Sequence, residues 1–342
     1  MGETKNIDEM AQIISDKIFA EMKWEVNNDY KDINWSCCDE LHKTKTHPTD
    51  LVFNYMDPYT EITQYIQTDL KSYKKESISP SKIGNALVSL SKQVYCAKRS
   101  KEWAGFFTKQ ELKYNIHGML FIYNNDDRYD KDLLQTIESK ATFDFLLPKD
   151  SKLNIFTPKL ISFLLNVVSN IKERRNIELD ESFKSVETKI ADRSKCSFYY
   201  PDKHNKCSSD DLRHPASLEM ITSGMILFEY PHPKTTDRIL NIFWDEEIKN
   251  DSYFVYLFEF IFNYQMLNVF ERVYVITPFS GTAANFFSVA KNLYHRQFAM
   301  TETQKNKLAK IEMITMENVR VSLFPFPMTN KGIVRQLVKE NS

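Results

Sequence analysis

Glycine is scarce in this chain, at 7 of 342 residues, and cysteine scarcer still, at 5. An odd number of cysteines without paired spacing argues against a disulfide framework and fits a reducing cytoplasm. No apolar run reaches the roughly 18 residues of a membrane span. The nearest stretch, 252–270, follows Asp251 and is interrupted by Glu259, Asn263 and Gln265, so it reads as a buried helix. The start, Met1-Gly2-Glu3-Thr4-Lys5-Asn6, lacks the apolar segment of a signal peptide. Charge of one sign is also missing: 45 Lys+Arg face 46 Asp+Glu, for a net charge of −1. A polyanion partner must then be held by a local basic patch. Few glycines beside many Lys, Asn, Ile and Phe fit an AT-rich bacterial genome. The length suffices for two domains with well-buried cores.

What is present begins with two strand-like runs, Asp50–Asp57 and Ile62–Lys71, joined by Pro58-Tyr59-Thr60-Glu61. In a symmetric hairpin Asp57 faces Ile62, and counting outward sets Asp50 opposite Asp69. Opposed residues share a face, with Cβ atoms about 4.5–5.5 Å apart. Two carboxylates so placed repel, and a divalent cation between them removes that cost. Period two adds Lys71, Gln67, Tyr65 and Thr63 to this face, which is expected to be polar. Leu51, Phe53, Tyr55, Ile62, Ile66 and Leu70 fall on the other, expected to be the core face.

The flanks supply further elements. Ile7, Met10, Ala11, Ile14, Ile18 and Met22 form one helical stripe. A first strand is expected within 33–38. Ser79-Pro80-Ser81 signals a helix start, followed by Ile83, Leu87, Leu90 and Val94 at apolar spacing. Ile116–Tyr123 reads as a buried strand. Lys71, Lys74, Lys75, Lys82, Lys92, Lys98, Arg99 and Lys101 lie near Asp69 in sequence, and Lys74, Lys75 and Lys82 are the expected phosphate contacts.

This order of elements, with Thr49-Asp50 and Asp69-Leu70-Lys71, resembles the PD-(D/E)xK nuclease superfamily over roughly residues 7–125. Pro48 stands one residue earlier than the superfamily name implies. The resemblance implies an α/β protein with a restriction-endonuclease-like αβββαβ core. It implies phosphodiester hydrolysis, with Asp50, Asp69 and the Leu70 carbonyl holding Mg²⁺ or Mn²⁺ and Lys71 orienting or deprotonating water or stabilising charge. The same resemblance makes Glu9 an additional acidic site residue, with Asp16 and Glu21 as alternatives. Gln67 either orients water or phosphate or simply occupies the strand.

Three regions are expected: a nuclease-like domain over 1–125, a mixed helical and loop connection over 126–221, and a C-terminal α/β recognition or interaction domain over 222–342. In the connection Phe156–Val168 looks helical. Cys196, His204, Cys207 and His214 are ligating types, but without a C-x-x-C knuckle the stretch reads as a surface loop. Strands are expected at Gly224–Tyr230, Arg238–Trp244, Arg272–Thr277 and Val319–Phe324, with helices at Tyr253–Leu267 and from Thr282. This order echoes the first domain, and Glu247-Ile248-Lys249 follows its second strand without an acidic partner opposite. The expected activity is that of a metal-dependent, cytoplasmic bacterial DNA endonuclease in restriction or anti-phage defence. An RNA or tRNA endonuclease and a non-catalytic nucleic-acid-binding or assembly subunit are the alternatives. A homo-oligomer or a partner subunit is expected, and no membrane association.

Overall fold

A computed structural model describes residues 15–27, 29–109, 111–126, 128–138, 145–177, 195–204, 214–232, 235–278 and 280–316. The chain forms two compact units, one holding the residues up to Leu165 and the other spanning Asn166–Val319.

The first unit contains α1 (15–21), β1 (Glu25–Val26), β2 (Ile33–Ser36), β3 (Thr46–Thr49), β4 (Val52–Met56) and β5 (Thr63–Tyr73). It continues with α2 (Pro80–Ala97), α3 (Lys101–Phe107), β6 (Tyr114–Asn124), α4 (Leu133–Glu138), β7 (Leu153–Phe156) and α5 (Pro158–Ile177), the helix in which the division between the units falls. One sheet has the order β1-β4-β5-β6-β7. The first two pairings are antiparallel and the last two parallel. The hairpin turns where the sequence places it. Asp57 Oδ1 accepts hydrogen bonds from the Tyr59 and Thr60 amides at 3.1 and 2.8 Å, and Asp57 N donates to the Ile62 carbonyl. Met56 pairs with Thr63 and Val52 with Gln67, so the register is the symmetric one.

The first strand differs from expectation. Ile33–Ser36 does not join this sheet; it pairs with Thr46–Thr49 in a separate two-stranded ribbon. The sheet position beside β4 belongs to the two-residue β1, with Val26 opposite Phe53.

Both sheet faces are covered. Phe19 of α1 stacks on Trp24 at 4.6 Å and meets Phe53 and Phe156 at 4.8 and 5.5 Å on one side. On the other side Ile83, Leu87 and Leu90 of α2 pack with Leu120 and Ile122 of β6. A right-handed crossover between the parallel β5 and β6 requires a helix there. Ser79 caps that helix and Pro80 opens it. Gly118 lets α2 close down, because a Cβ there would lie 2.5 Å from Leu153 Cδ2 and 3.0 Å from Leu90 Cγ.

The second unit contains β8 (Ser197–Phe198), α6 (Pro201–His204), α7 (Leu218–Thr222), β9 (Met225–Pro231), β10 (Arg238–Trp244), α8 (Ser252–Asn263), α9 (Met266–Val269), β11 (Arg272–Pro278), α10 (Ala283–Gln297), α11 (Glu302–Ala309) and β12 (Ile311–Met316). Its sheet runs β8-β9-β10-β11-β12, again with two antiparallel pairings followed by two parallel ones. The two units therefore share one sheet topology. Glu247 and Lys249 lie beyond β10 and pair with each other at 3.8 Å. The amide of Asp245 reaches the carbonyl of Gly224, so no carboxylate stands opposite that strand end. The aromatic helix α8 is mainly core: Phe254, Leu257, Phe258 and Ile261 are buried, while Tyr256 is 64% exposed. Thr282 precedes α10 without a side-chain capping bond. The expected strand Val319–Phe324 lies outside the described residues.

Candidate active site

The register of β4 and β5 carries Asp50 to the position opposite Asp69. The pairing persists one step past β4, since the Thr68 amide donates to the Leu51 carbonyl at 3.1 Å. Beyond it the backbone ladder gives way to a side chain: Asp50 Oδ2 accepts the Leu70 amide at 2.6 Å. In an antiparallel pair the N–H and C=O of one residue point the same way, so the Leu70 carbonyl also faces the Asp50 side. Lys71 Nζ lies 2.5 Å from Asp69 Oδ1.

The electrostatics follow from this packing. Burial is the main force raising the Asp50 carboxyl to about 6; the Leu70 amide opposes it, and the charges of Asp69 and Asp32 add to it. For Lys71, burial pulls the ammonium down, but the charge and hydrogen bond of Asp69, with the charge of Asp50, outweigh it and leave its pKa above the usual lysine value. Lys71 is therefore a held cation at neutral pH. Two carboxylates and a carbonyl are hard oxygen donors of the kind Mg²⁺ and Mn²⁺ take. The reluctance of Asp50 to ionise is what a cation placed beside it relieves. The donor set thus fits a divalent ion.

Several expected site residues fall elsewhere. Glu9 lies outside the described residues. Asp16 pairs with Lys31 at 3.7 Å, and burial raises its carboxyl. Asp32 was not foreseen; it is exposed, its amide donates to the Asp50 carbonyl, and its charge acts on Asp50. Its backbone is left-handed at φ 51°, a local conformation that hydrophobic patterning does not reveal.

The expected polar face is a site face only at its end. Tyr65 is fully buried in the cluster of Trp35, Val94 and Trp103. Gln67 is fully buried too, and its amide is engaged at both ends. Trp103 Nε1 donates to Oε1 at 2.9 Å, while Nε2 donates to Thr49 Oγ1 at 2.9 Å and Gln93 Oε1 at 3.0 Å. This closed network ties β3, β5, α2 and α3 together, and Gln67 meets no solvent to orient. The covering by α2, α3 and the β2–β3 ribbon ends near Asp69; Lys71, Ser72 and Tyr73 are half-buried and Lys74 is exposed.

The basic residues also separate. Lys74 and Lys82 are exposed near the end of β5 and the start of α2. Lys75 is tied down, with Nζ 2.9 Å from Asp130 Oδ1. Lys98 donates to the carbonyl of Tyr114, which pairs with Thr63 at the opposite end of β5. That end lies about 26 Å from Lys71 at roughly 3.3 Å per strand residue. Arg99, beside it, stacks on Tyr95 at 3.7 Å. In the second unit, Cys207 and the side chain of His204 lie outside the described residues.

An α–β–β–β–α–β core with an acidic pair and a lysine at the open end of its central hairpin defines a PD-(D/E)xK nuclease domain. Residues 1–160 match the family model described as the GAPS4 protein PD-(D/E)XK nuclease domain. No curated protein matches the chain.

Proposed function

We propose that the first unit is a metal-dependent endonuclease whose working residues are Asp50, Asp69 and Lys71. The observation that carries this reading is the convergence of the three at one strand end, within a domain of nuclease type. Asp50, Asp69 and the Leu70 carbonyl would hold Mg²⁺ or Mn²⁺, which when bound polarises the scissile phosphate and acidifies a water. Lys71, held protonated by Asp69, stabilises negative charge on the phosphate rather than removing a proton. The Leu70 amide fixes the Asp50 carboxylate, so the two acidic groups keep one geometry.

Double-stranded DNA is the proposed substrate, cut in restriction or anti-phage defence in the cytoplasm. Because one acidic pair with a lysine serves one strand, the protein is proposed to act as an oligomer or with a partner subunit. The C-terminal module, residues 222–342, would carry recognition or assembly, with Tyr256 as an exposed aromatic contact. Incubating the purified protein with plasmid DNA and with total RNA, each with and without Mg²⁺ or Mn²⁺, tests this reading. Metal-dependent cleavage of DNA supports it; cleavage of RNA alone overturns the substrate assignment. Light scattering tests the assembly: a strict monomer at micromolar concentration that cuts at full rate contradicts it.

A further inference from the structure

A second group of chemistry-bearing side chains meets in the first unit and shares no residue with the carboxylate site. Cys37 follows β2, His42 ends the short 3-10 turn Glu40–His42, His47 lies in β3, and Cys96 sits in the last turn of α2. One ligating atom from each comes within 4.8 Å of all the others. Cys37 Sγ is 3.8 Å from Cys96 Sγ and 3.5 Å from His42 Nδ1, and Cys96 Sγ is 3.3 Å from the same nitrogen. We propose that Cys37, His42, His47 and Cys96 form a closed, structural Zn²⁺ site.

The spacing supports tetrahedral coordination. Zinc bonds of about 2.3 Å to sulfur and about 2.0–2.1 Å to nitrogen give tetrahedron edges of about 3.8 Å between sulfurs and about 3.5 Å between sulfur and nitrogen. A disulfide would bring the two sulfurs to about 2.0 Å. The Cys37 and Cys96 sulfurs, at 3.8 Å, stand at the coordination distance and not at the bonding one.

Burial supplies an independent argument. His47 is only 3% exposed, and its Nε2 has no hydrogen-bond partner among the described residues. A buried ring nitrogen without a partner is destabilising, and coordination removes that cost. His42 offers Nδ1 to the sulfurs, and its Nε2, 3.9 Å from the Asp39 carboxylate, has no hydrogen-bond partner among the described residues. Two thiolates and two neutral imidazoles also balance a divalent charge, so the filled site is neutral in its buried setting.

The site has a structural consequence. It fastens the β2–β3 ribbon to the end of α2. The ribbon leads through Thr49, a member of the Gln67 network, directly into Asp50. Zinc is thus a positioning element for the acidic pair and takes no part in the reaction. The three ligands of the ribbon recur at five-residue intervals, and the fourth arrives from a distant helix.

Elemental analysis of the full-length protein, purified without added metal or chelator, tests the proposal. About one zinc per chain is expected in the wild type and in Asp69→Asn, and a loss of most of it in Cys96→Ser and His47→Ala. Replacing zinc by Co²⁺ in the wild type keeps the test independent of how those variants fold. The expected result is the intense visible spectrum of tetrahedral, thiolate-bound cobalt. Two results would overturn the proposal: wild-type protein without zinc and without that cobalt spectrum, or zinc lost from Asp69→Asn and retained by Cys96→Ser.

Discussion

The carboxylate of Asp50 takes the place of a missing strand. Its Oδ2 accepts the Leu70 amide at 2.6 Å, one step past the point where the β4 backbone stops serving β5. The side chain satisfies a donor that would otherwise be unpaired and is fixed by it beside Asp69 and Lys71. Fold and site share this contact, so its perturbation is expected to affect both.

Acidity offers the first test. The Asp50 carboxyl is raised from 3.8 to about 6, chiefly by burial, against the opposing Leu70 amide and Lys71 and with the added charges of Asp69 and Asp32. A raised carboxyl favours the folded state while neutral. The stabilisation is complete below 3.8 and is lost as pH rises through about 6. Its size is on the order of 3 kcal/mol. In metal-free protein, the stability difference between Asp50→Asn and wild type should therefore widen in favour of the variant as pH rises from 4 to 7, on the order of that amount. Thermal unfolding at several pH values reads it, and a difference independent of pH would contradict the burial of Asp50. Mg²⁺ affinity of the wild type should rise about tenfold per pH unit below that pKa.

Gln67 is expected to matter for stability more than for chemistry. Gln67→Leu strands the Trp103 indole N–H and the Gln93 side chain in a buried setting. The expected loss is on the order of 3 kcal/mol in a denaturant titration. Residual activity should track the folded fraction. A variant of wild-type stability with no activity would assign Gln67 to the site instead.

Nucleic-acid affinity should depend on whether a lysine lies near the start of α2 or past its end. Lys74→Ala and Lys82→Ala should each weaken binding and lower the salt slope by about one. Lys98→Ala, at the far end of β5, should leave both unchanged. Fluorescence anisotropy against salt concentration checks this, and equal effects at all three positions would remove the patch from the start of α2.

The hairpin was legible in the sequence because a four-residue loop and period-two alternation fix a register without any distant contact. Asp50, Asp69 and Lys71 follow from that counting alone. Elements fixed by tertiary contact were not legible. The strand Glu25–Val26 is too short for periodicity, and Ile33–Ser36 has a strand pattern that does not say which sheet it joins. Gln67 and Tyr65 obey the alternation but lie beneath Trp103 and Trp35, which arrive from distant parts of the chain. Lys98 and Lys101 are near Lys71 in sequence, yet both follow the far end of α2, a helix that rises roughly 27 Å at about 1.5 Å per residue. The grouping of Cys37, His42 and His47 with Cys96 needs a fold to bring it together. The shared topology of the two units was only hinted at by element order, since among the described residues no carboxylate stands opposite the end of β10.

Cleavage by site variants tests the central claim most directly. Asp69→Ala and Lys71→Ala, assayed with Mg²⁺ or Mn²⁺ on the substrate the wild type cuts, should each lose cleavage by about a hundredfold or more. Circular dichroism and thermal unfolding should show both variants folded, because these two side chains lie at the open end of the sheet. Folded Lys71→Ala protein cutting at the wild-type rate would contradict the assignment of Asp50, Asp69 and Lys71 as the working residues.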